Sequence, residues 1–407
     1  MRDARRVFVT GMGAVSAAGI GAPALWQAAR DGRSCVGEAK FQRPYPGRIK
    51  IAAQVRDFEP AAHLKPGELP FCDPVTQYLL AAAAEAIAQA GLAEASPMGP
   101  RTATIIGTGI GGVHTFETAL WATLIEKTRP DPLSVPRVIP SSCPSQLSIR
   151  YGCTGPCFAV GSACSSATQA IGIGLQLIRS GAVDRAIVGG TEDCVTFSSM
   201  LAWEALRVLT PDVCRPFSLG RNGMILGAGA AVFVLEEAAF SAGRGAEPII
   251  EIAGYGTSTD AKDPVRPDVE GAAACMCNTL ADAGLDTEEI DYVNAHGTGT
   301  TINDVTESAA LRLVFGDSKL ARLPVSSTKP VHGHGLGAAG ALELIVTIGA
   351  VRENIAPPTI NWRGADPKCP IDPVANEGRP MTIRTALSNS FAFGGINASL
   401  VVRRIAA

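Results

Sequence analysis

Several things are missing from this 407-residue chain, and each absence excludes something. No uninterrupted apolar stretch approaches the ~18 residues that a membrane-spanning helix requires. Charge of one sign is not in excess: 35 basic against 38 acidic residues leave a net charge of −3, which gives nucleic acid or an anionic membrane no purchase. The eleven cysteines are odd in number and show no CxxC spacing, so neither a disulfide framework nor a zinc site is expected. They read as reduced thiols in a cytoplasmic protein. The charged start, Met1-Arg2-Asp3-Ala4-Arg5-Arg6, leads at once into a strand pattern and not into a signal core. Histidine is scarce, with five residues in all.

What is present suits a large core. Hydrophobic residues make up 46% of the chain, and the length allows two or three domains. Strand-like runs (Val7 to Thr10, Thr104 to Ile106, Ala186 to Val188, Ala231 to Leu235) alternate with alanine-rich helical patterns, so the class is α/β. A second series starts at Ile249-Ile250-Glu251-Ile252, after Gly245-Ala246-Glu247-Pro248, and echoes the opening as a strand followed by a glycine turn. The echo suggests a duplicated α/β unit. Val9-Thr10-Gly11-Met12-Gly13-Ala14-Val15-Ser16 comes close to a dinucleotide fingerprint, yet the third glycine is missing. Asp31 also ends a helix where a ribose-binding acid should end a second strand. A tight strand-to-helix turn is expected there instead, and a nucleotide-dependent oxidoreductase is disfavoured.

Chemistry concentrates elsewhere. Cys164 sits in Gly161-Ser162-Ala163-Cys164-Ser165-Ser166-Ala167, between the strand-like Phe158-Ala159-Val160 and a helical pattern carried by Ile171, Leu175 and Ile178. A helix N-terminus presents unpaired N–H groups, and its field is expected to lower the thiol pKa. Three of the five histidines fall in two glycine-rich segments, Asn294-Ala295-His296-Gly297-Thr298-Gly299-Thr300 and Lys329-Pro330-Val331-His332-Gly333-His334-Gly335-Leu336-Gly337. A glycine loop, Phe391-Ala392-Phe393-Gly394-Gly395, closes the chain. One thiol, two histidines at element ends, a lysine and a glycine loop suggest acyl transfer at carbon.

These four segments, in this order, resemble the β-ketoacyl-ACP synthases, with synthase II as the nearest type, over nearly the whole chain. Asp366-Pro367-Lys368-Cys369 and the segments around His332 and Phe393 look like the specialised nodulation protein E subgroup. The resemblance implies a thiolase-like fold of two α/β halves in five α-β-α-β-α layers, residues 1–247 carrying the nucleophile and 248–407 the histidines and gate. It implies Cys164 as nucleophile, His296 and His334 as donors to an enolate, Lys329 as the lysine that tunes them and Glu307 as its buried acidic partner. Phe393 would be the gate and, with Cys164, supply the oxyanion-hole N–H groups. Thr298 and Thr300 would hold the pantetheine arm, Ile110 would line the acyl pocket, and Lys65, Arg207 and Arg215 would dock an acyl carrier protein. His332 has no counterpart in that set and is left structural. No metal or resident cofactor is implied, since acyl groups arrive on the carrier's phosphopantetheine. A homodimer is expected, with a heterodimer beside a second synthase subunit as the alternative. The alternative function for this chain is that of a catalytically silent chain-length subunit in such a heterodimer, but these typically lose the nucleophile, and Cys164 with both histidines argues against it. A thiolase would carry a second catalytic cysteine where His334 stands. Ala392 and Ile396 depart from the family's Gly and Thr, and alanine would be strained at 392 if that position needs a positive φ.

Overall fold

Val7–Ser16 forms the first long strand, β1, buried at all ten positions; the computed structural model describes residues 5–405. A strand covered on both faces reads as a continuous apolar run, as this one does. The turn expected at Gly11-Met12-Gly13 is not made, because β1 continues through it, with a bulge between Val9 and Gly11. The glycines serve a close approach instead. Helix α1 (Pro74–Gln89) lies so near that a Cβ on Gly11 would meet the Ala86 carbonyl oxygen at 2.0 Å, and one on Gly13 that of Ala82 at 2.1 Å. The next helix opens only at Ala22, beyond the end of the strand at Ser16, so these glycines do not lead into a helix N-terminus and the phosphate cradle of a dinucleotide site has no geometric basis here.

Apart from two-residue strands, the first half adds four to the sheet: β2 (Thr102–Gly107), β3 (Cys157–Val160), β4 (Arg185–Asp193) and β5 (Ala228–Glu237). The second half contributes β6 (Ile250–Thr259), β7 (Tyr292–Asn294), β8 (Pro324–Ser326), β9 (Thr385–Ala392) and β10 (Ile396–Arg403). Outward from the seam the order is β1-β5-β4-β2-β3 on one side and β6-β10-β9-β7-β8 on the other. In each half the strands therefore run first, fifth, fourth, second, third, with two antiparallel pairings followed by two parallel ones. Two topologies that agree in both order and direction are a duplication. The seam itself is thin, pairing Phe8 with Glu251 and Val9 with Ile250.

Helices α2 (Ser166–Arg179) and α5 (Ala339–Glu353) pack against each other and against strands of both halves, so they form the central layer. Outside, α1 covers β1 and β5, while α3 (Val269–Ala283) covers β6 and β10 with α4 (Asn303–Leu320) against it. The result is the thiolase-like five-layer arrangement. Composition explains the middle layer. Every residue of α5 from Ala339 to Val351 is buried, as a helix apolar all round must be. Each of its fully buried Leu and Ile side chains contributes about 1.5–3 kcal/mol. Small residues set the crossing, since a Cβ on Gly340 would meet Thr168 Oγ1 at 2.0 Å.

Both central helices are entered the same way. A 3-10 turn, Ala163–Ser165, precedes α2, and another, Leu336–Ala338, precedes α5. Each turn opens on a residue other than glycine with positive φ, 49° at Ala163 and 45° at Leu336. Strain of this kind is characteristic of functional turns. The two turns pack together, which brings the Cys164 and His334 segments face to face.

Candidate active site

Cys164 stands at the 3-10 turn between β3 and α2, where the sequence places it, and is 6% exposed. The environment reverses the expected pKa. Burial pushes the thiol up to about 12, outweighing the pull of the Lys329 charge and of the Phe393 backbone N–H that reaches it. At neutral pH Cys164 is thus a thiol.

His334 Nε2 lies 3.2 Å from the Cys164 sulfur. On the far side of the ring, the Leu336 backbone N–H donates to Nδ1 at 3.3 Å. Since Nδ1 accepts, the neutral ring carries its proton on Nε2. His296 is arranged likewise: the Lys329 Nζ sits 3.5 Å from its Nδ1 and donates to its backbone oxygen at 2.5 Å. Both histidines are driven well below the usual imidazole pKa, first by burial and then by the Lys329 charge. The rings meet edge to face with centroids 5.3 Å apart. One donor atom from each of Cys164, His296 and His334 falls within 4.8 Å of the others. That spacing could suit a metal, but a metal-bound Nε2 would need a proton on Nδ1, facing the N–H donors already there. The pair is built to donate hydrogen bonds.

The buried acid of this network is not the expected one. Lys329 Nζ pairs with Glu343 of α5, a fully buried ion pair. Glu307, on α4, instead accepts the backbone N–H groups of His296 at 2.8 Å and Gly297 at 2.7 Å, with Asn389 Nδ2 at 3.3 Å. It shapes the loop that carries His296 and does not touch Lys329. Burial raises both carboxyls to about 7. Glu343 was legible as the one acid on the buried stretch of α5, a position that needs a charged partner. His332 is buried with Nε2 3.0 Å from Thr328 Oγ1 and plays no part in the triad.

A cleft of about 260 Å³ leads to the triad, lined among others by Trp203, Arg207, Thr298, Thr300 and Phe393. The two threonine hydroxyls lie 2.9 Å apart on its wall. Phe393 stacks on Trp203, with ring centroids 5.9 Å apart and planes at 20°, a contact between residues far apart in the chain that leaves no signal in the sequence. Ala392 ends strand β9 in extended backbone, so the anticipated positive-φ strain does not arise; Gly394 (φ 85°) and Gly395 (φ 67°) make the turn. Ile110 is 47% exposed and lies outside the cleft lining. Of the three docking candidates, only Arg207 is exposed at the cleft mouth. Lys65 is exposed but off the cleft. Arg215 is 4% exposed, held by Asp212 at 2.5 Å and the Gly220 carbonyl at 3.1 Å, and cannot serve as a docking charge.

A buried thiol at a strained turn, faced by two imidazole donors across the junction of duplicated halves, defines a thiolase-like condensing site. Residues 4–240 match the model of the β-ketoacyl synthase N-terminal domain, and residues 249–363 that of the C-terminal domain. The chain belongs to the β-ketoacyl synthase family. It is 41% identical over 402 residues to nodulation protein E of Rhizobium sp. (strain N33), covering 98% of this chain and 100% of that one. To 3-oxoacyl-[acyl-carrier-protein] synthase 2 of Coxiella burnetii (strain RSA 493 / Nine Mile phase I) it is 39% identical over 412 residues, covering 99% of each. Among solved structures, the ishigamide ketosynthase/chain length factor superimposes with a TM-score of 0.94 at 36% identity, covering 99% of this chain and 100% of that one.

Proposed function

We propose that this β-ketoacyl synthase elongates acyl chains on an acyl carrier protein, with Cys164 as nucleophile and His296 and His334 as the donors that make decarboxylation feasible. The observation that carries this reading is the pair of Nε2–H groups converging on one buried thiol. In the first half-reaction the Cys164 sulfur bonds to the acyl carbonyl carbon, the carrier's C–S bond breaks, and the thiol proton ends on the departing pantetheine sulfur. The Phe393 N–H, which reaches Cys164, and the N–H of Cys164 itself are placed to receive the carbonyl oxygen as it gains charge. In the second, malonyl thioester loses CO2 and its carbonyl becomes an enolate oxygen, held by His296 and His334. The enolate carbon then attacks the Cys164 thioester, whose C–S bond breaks to give 3-oxoacyl thioester and Cys164 thiolate, which takes up a proton. Neutral donors serve this step because they stabilise the developing anion without titrating near neutrality.

Thr298 and Thr300 are assigned to the pantetheine arm on their place in the cleft wall. The product serves fatty-acid or specialised polyene or polyketide-like chain elongation. Strand β3 ends the sheet with an unpaired edge, four residues before Cys164, and Phe158 on it is 38% exposed. An edge of this kind takes a second strand. A second copy of the chain is the partner we assign to it, with a chain-length subunit as the alternative. A silent role for this chain itself is disfavoured by the complete triad.

The test separates the half-reactions. Cys164→Ala should abolish both acyl transfer and condensation while the protein stays folded. His296→Ala and His334→Ala should keep substantial acylation of Cys164, read by single-turnover mass spectrometry, yet lose CO2 release from malonyl-ACP. Acyl-enzyme on the Cys164→Ala protein, or normal decarboxylation in both histidine variants, would overturn the assignment.

A further inference from the structure

Glu192 lies at the inner end of β4, wholly buried, and has no part in the mechanism above. Its surroundings are unusual in being all donors. Oε2 accepts the backbone N–H of Gly109 at 2.5 Å and of Gly337 at 3.2 Å, while Oε1 accepts the Thr108 hydroxyl at 3.3 Å. The Ile110 N–H and the Cys194 thiol add two more hydrogen bonds. Two of the donors, Gly109 and Gly337, come from opposite halves of the molecule and meet on one oxygen atom. Their loops are in direct contact, since a Cβ on Gly337 would fall 2.3 Å from the Gly109 nitrogen. Nothing else could fit between them.

Gly337 follows Leu336, whose N–H fixes the proton of His334 on Nε2. The backbone of His334 is anchored separately, through the Ile225 carbonyl and the Gly227 N–H. That anchor sets where the residue is, and the Leu336–Gly337 turn sets which ring nitrogen keeps the proton. We propose that Glu192 is a positioning residue for the condensation half-reaction: by clamping the Gly337 N–H to the Thr108–Ile110 loop, it aims the Leu336 N–H at His334 Nδ1 and so holds His334 in its donor tautomer. The inference rests on the role given to His334, and it distinguishes Glu192 from a residue that merely supports the fold. A buried carboxyl facing this set of donors is expected to be costly to remove, because the Gly109, Ile110 and Gly337 N–H groups would be left without an acceptor. The specific consequence is that the loss falls on decarboxylation, while acylation of Cys164, which does not need the His334 proton to point at an enolate, is spared.

Glu192→Ala and Glu192→Gln are compared on the full-length enzyme. Glutamine can keep its oxygen on the two glycine N–H groups and turn its amide toward the Thr108 hydroxyl, so it should rescue. For Glu192→Ala, acylation of Cys164 should stay within about threefold of the parent while CO2 release falls at least about thirtyfold; Glu192→Gln should recover to within about tenfold. Histidine 15N spectra read the tautomer directly: His334 should show Nε2–H in the parent and in Glu192→Gln, and a mixture in Glu192→Ala. If Glu192→Ala does not fold, the glutamine variant decides, since its smaller loss must still fall on CO2 release and not on acylation. Equal losses in both half-reactions, or an unchanged tautomer in a folded Glu192→Ala protein, would overturn the proposal. Should His334→Ala retain decarboxylation, the catalytic reading fails instead, and the 15N spectra still judge whether Glu192 governs the tautomer.

Discussion

At Cys164 two influences on the thiol oppose each other. The helix end and the Lys329 charge favour a thiolate, while burial disfavours it, and burial wins. The consequence is a reactivity profile. A thiol pushed up to about 12 should be alkylated by iodoacetamide at a rate that climbs about tenfold per pH unit and is still climbing at about pH 9.5. Peptide mass spectrometry resolves Cys164 from the other cysteines. A plateau below about pH 8 would mean that the helix field prevails after all. The place of Cys164 at a strand-to-helix turn was readable from the sequence, but its protonation was not, because sequence shows which residues adjoin and not how much water they exclude. The Lys329 partner was misplaced for a related reason. Glu307 follows His296 closely in the chain, yet the helix that reaches Lys329 is α5, and only the packing of the central layer brings Glu343 there.

Elements were easier to read than their contacts. The alternation of strands and alanine-rich helices and the second series from residue 249 both appear in the duplicated topology, although the glycines of each opening lie within a strand and make no turn. What the pattern did not carry was the use of small residues. Gly11 and Gly13 looked like a turn and are instead a landing surface for α1, a distinction that depends on a helix some seventy residues away. The loop Phe391–Gly395, the proposed gate, shows the same division. Ala392 belongs to the strand, while Gly395 makes the turn with φ 67° and has no room for a side chain, since its Cβ would sit 2.6 Å from the Asp260 Cβ. Gly395→Ala should therefore cost about 1–2 kcal/mol in backbone strain alone, and more from the clash. It should also slow acylation of Cys164 by displacing the Phe393 N–H. Ala392→Gly should cost no more than about 1 kcal/mol and leave acylation intact. Denaturant midpoints and the acylation burst check both. Comparable damage from the two substitutions would mean that the gate is not set by this turn.

For the molecule as a whole, the proposed function raises the question of how a chain with a net charge of −3 would receive an acyl carrier protein, taken here as acidic. Overall attraction is ruled out by that sign, so recognition must be local. Arg207 is the basic side chain that meets the requirement: it is exposed, it sits at the mouth of the cleft that ends on Cys164, and it is lifted outward by a left-handed backbone (φ 58°) just past the helix Phe197–Ala205. Exposed rim charges act mainly on association and on its salt dependence. Arg207→Glu should raise the carrier-protein KM by about five- to tenfold at low salt, with the difference shrinking as salt screens the pair, while kcat and the alkylation of Cys164 stay unchanged. Arg215→Glu supplies the contrast. It would place an acid beside Asp212 in a buried site and should destabilise the fold by about 3–5 kcal/mol, a loss seen in denaturant unfolding that salt would not repair. Kinetics against salt for the first variant and unfolding for the second thus assign the two arginines to different tasks. An unchanged carrier KM for Arg207→Glu at low salt would move the docking surface away from the cleft mouth, with Lys65 as the next position to reverse.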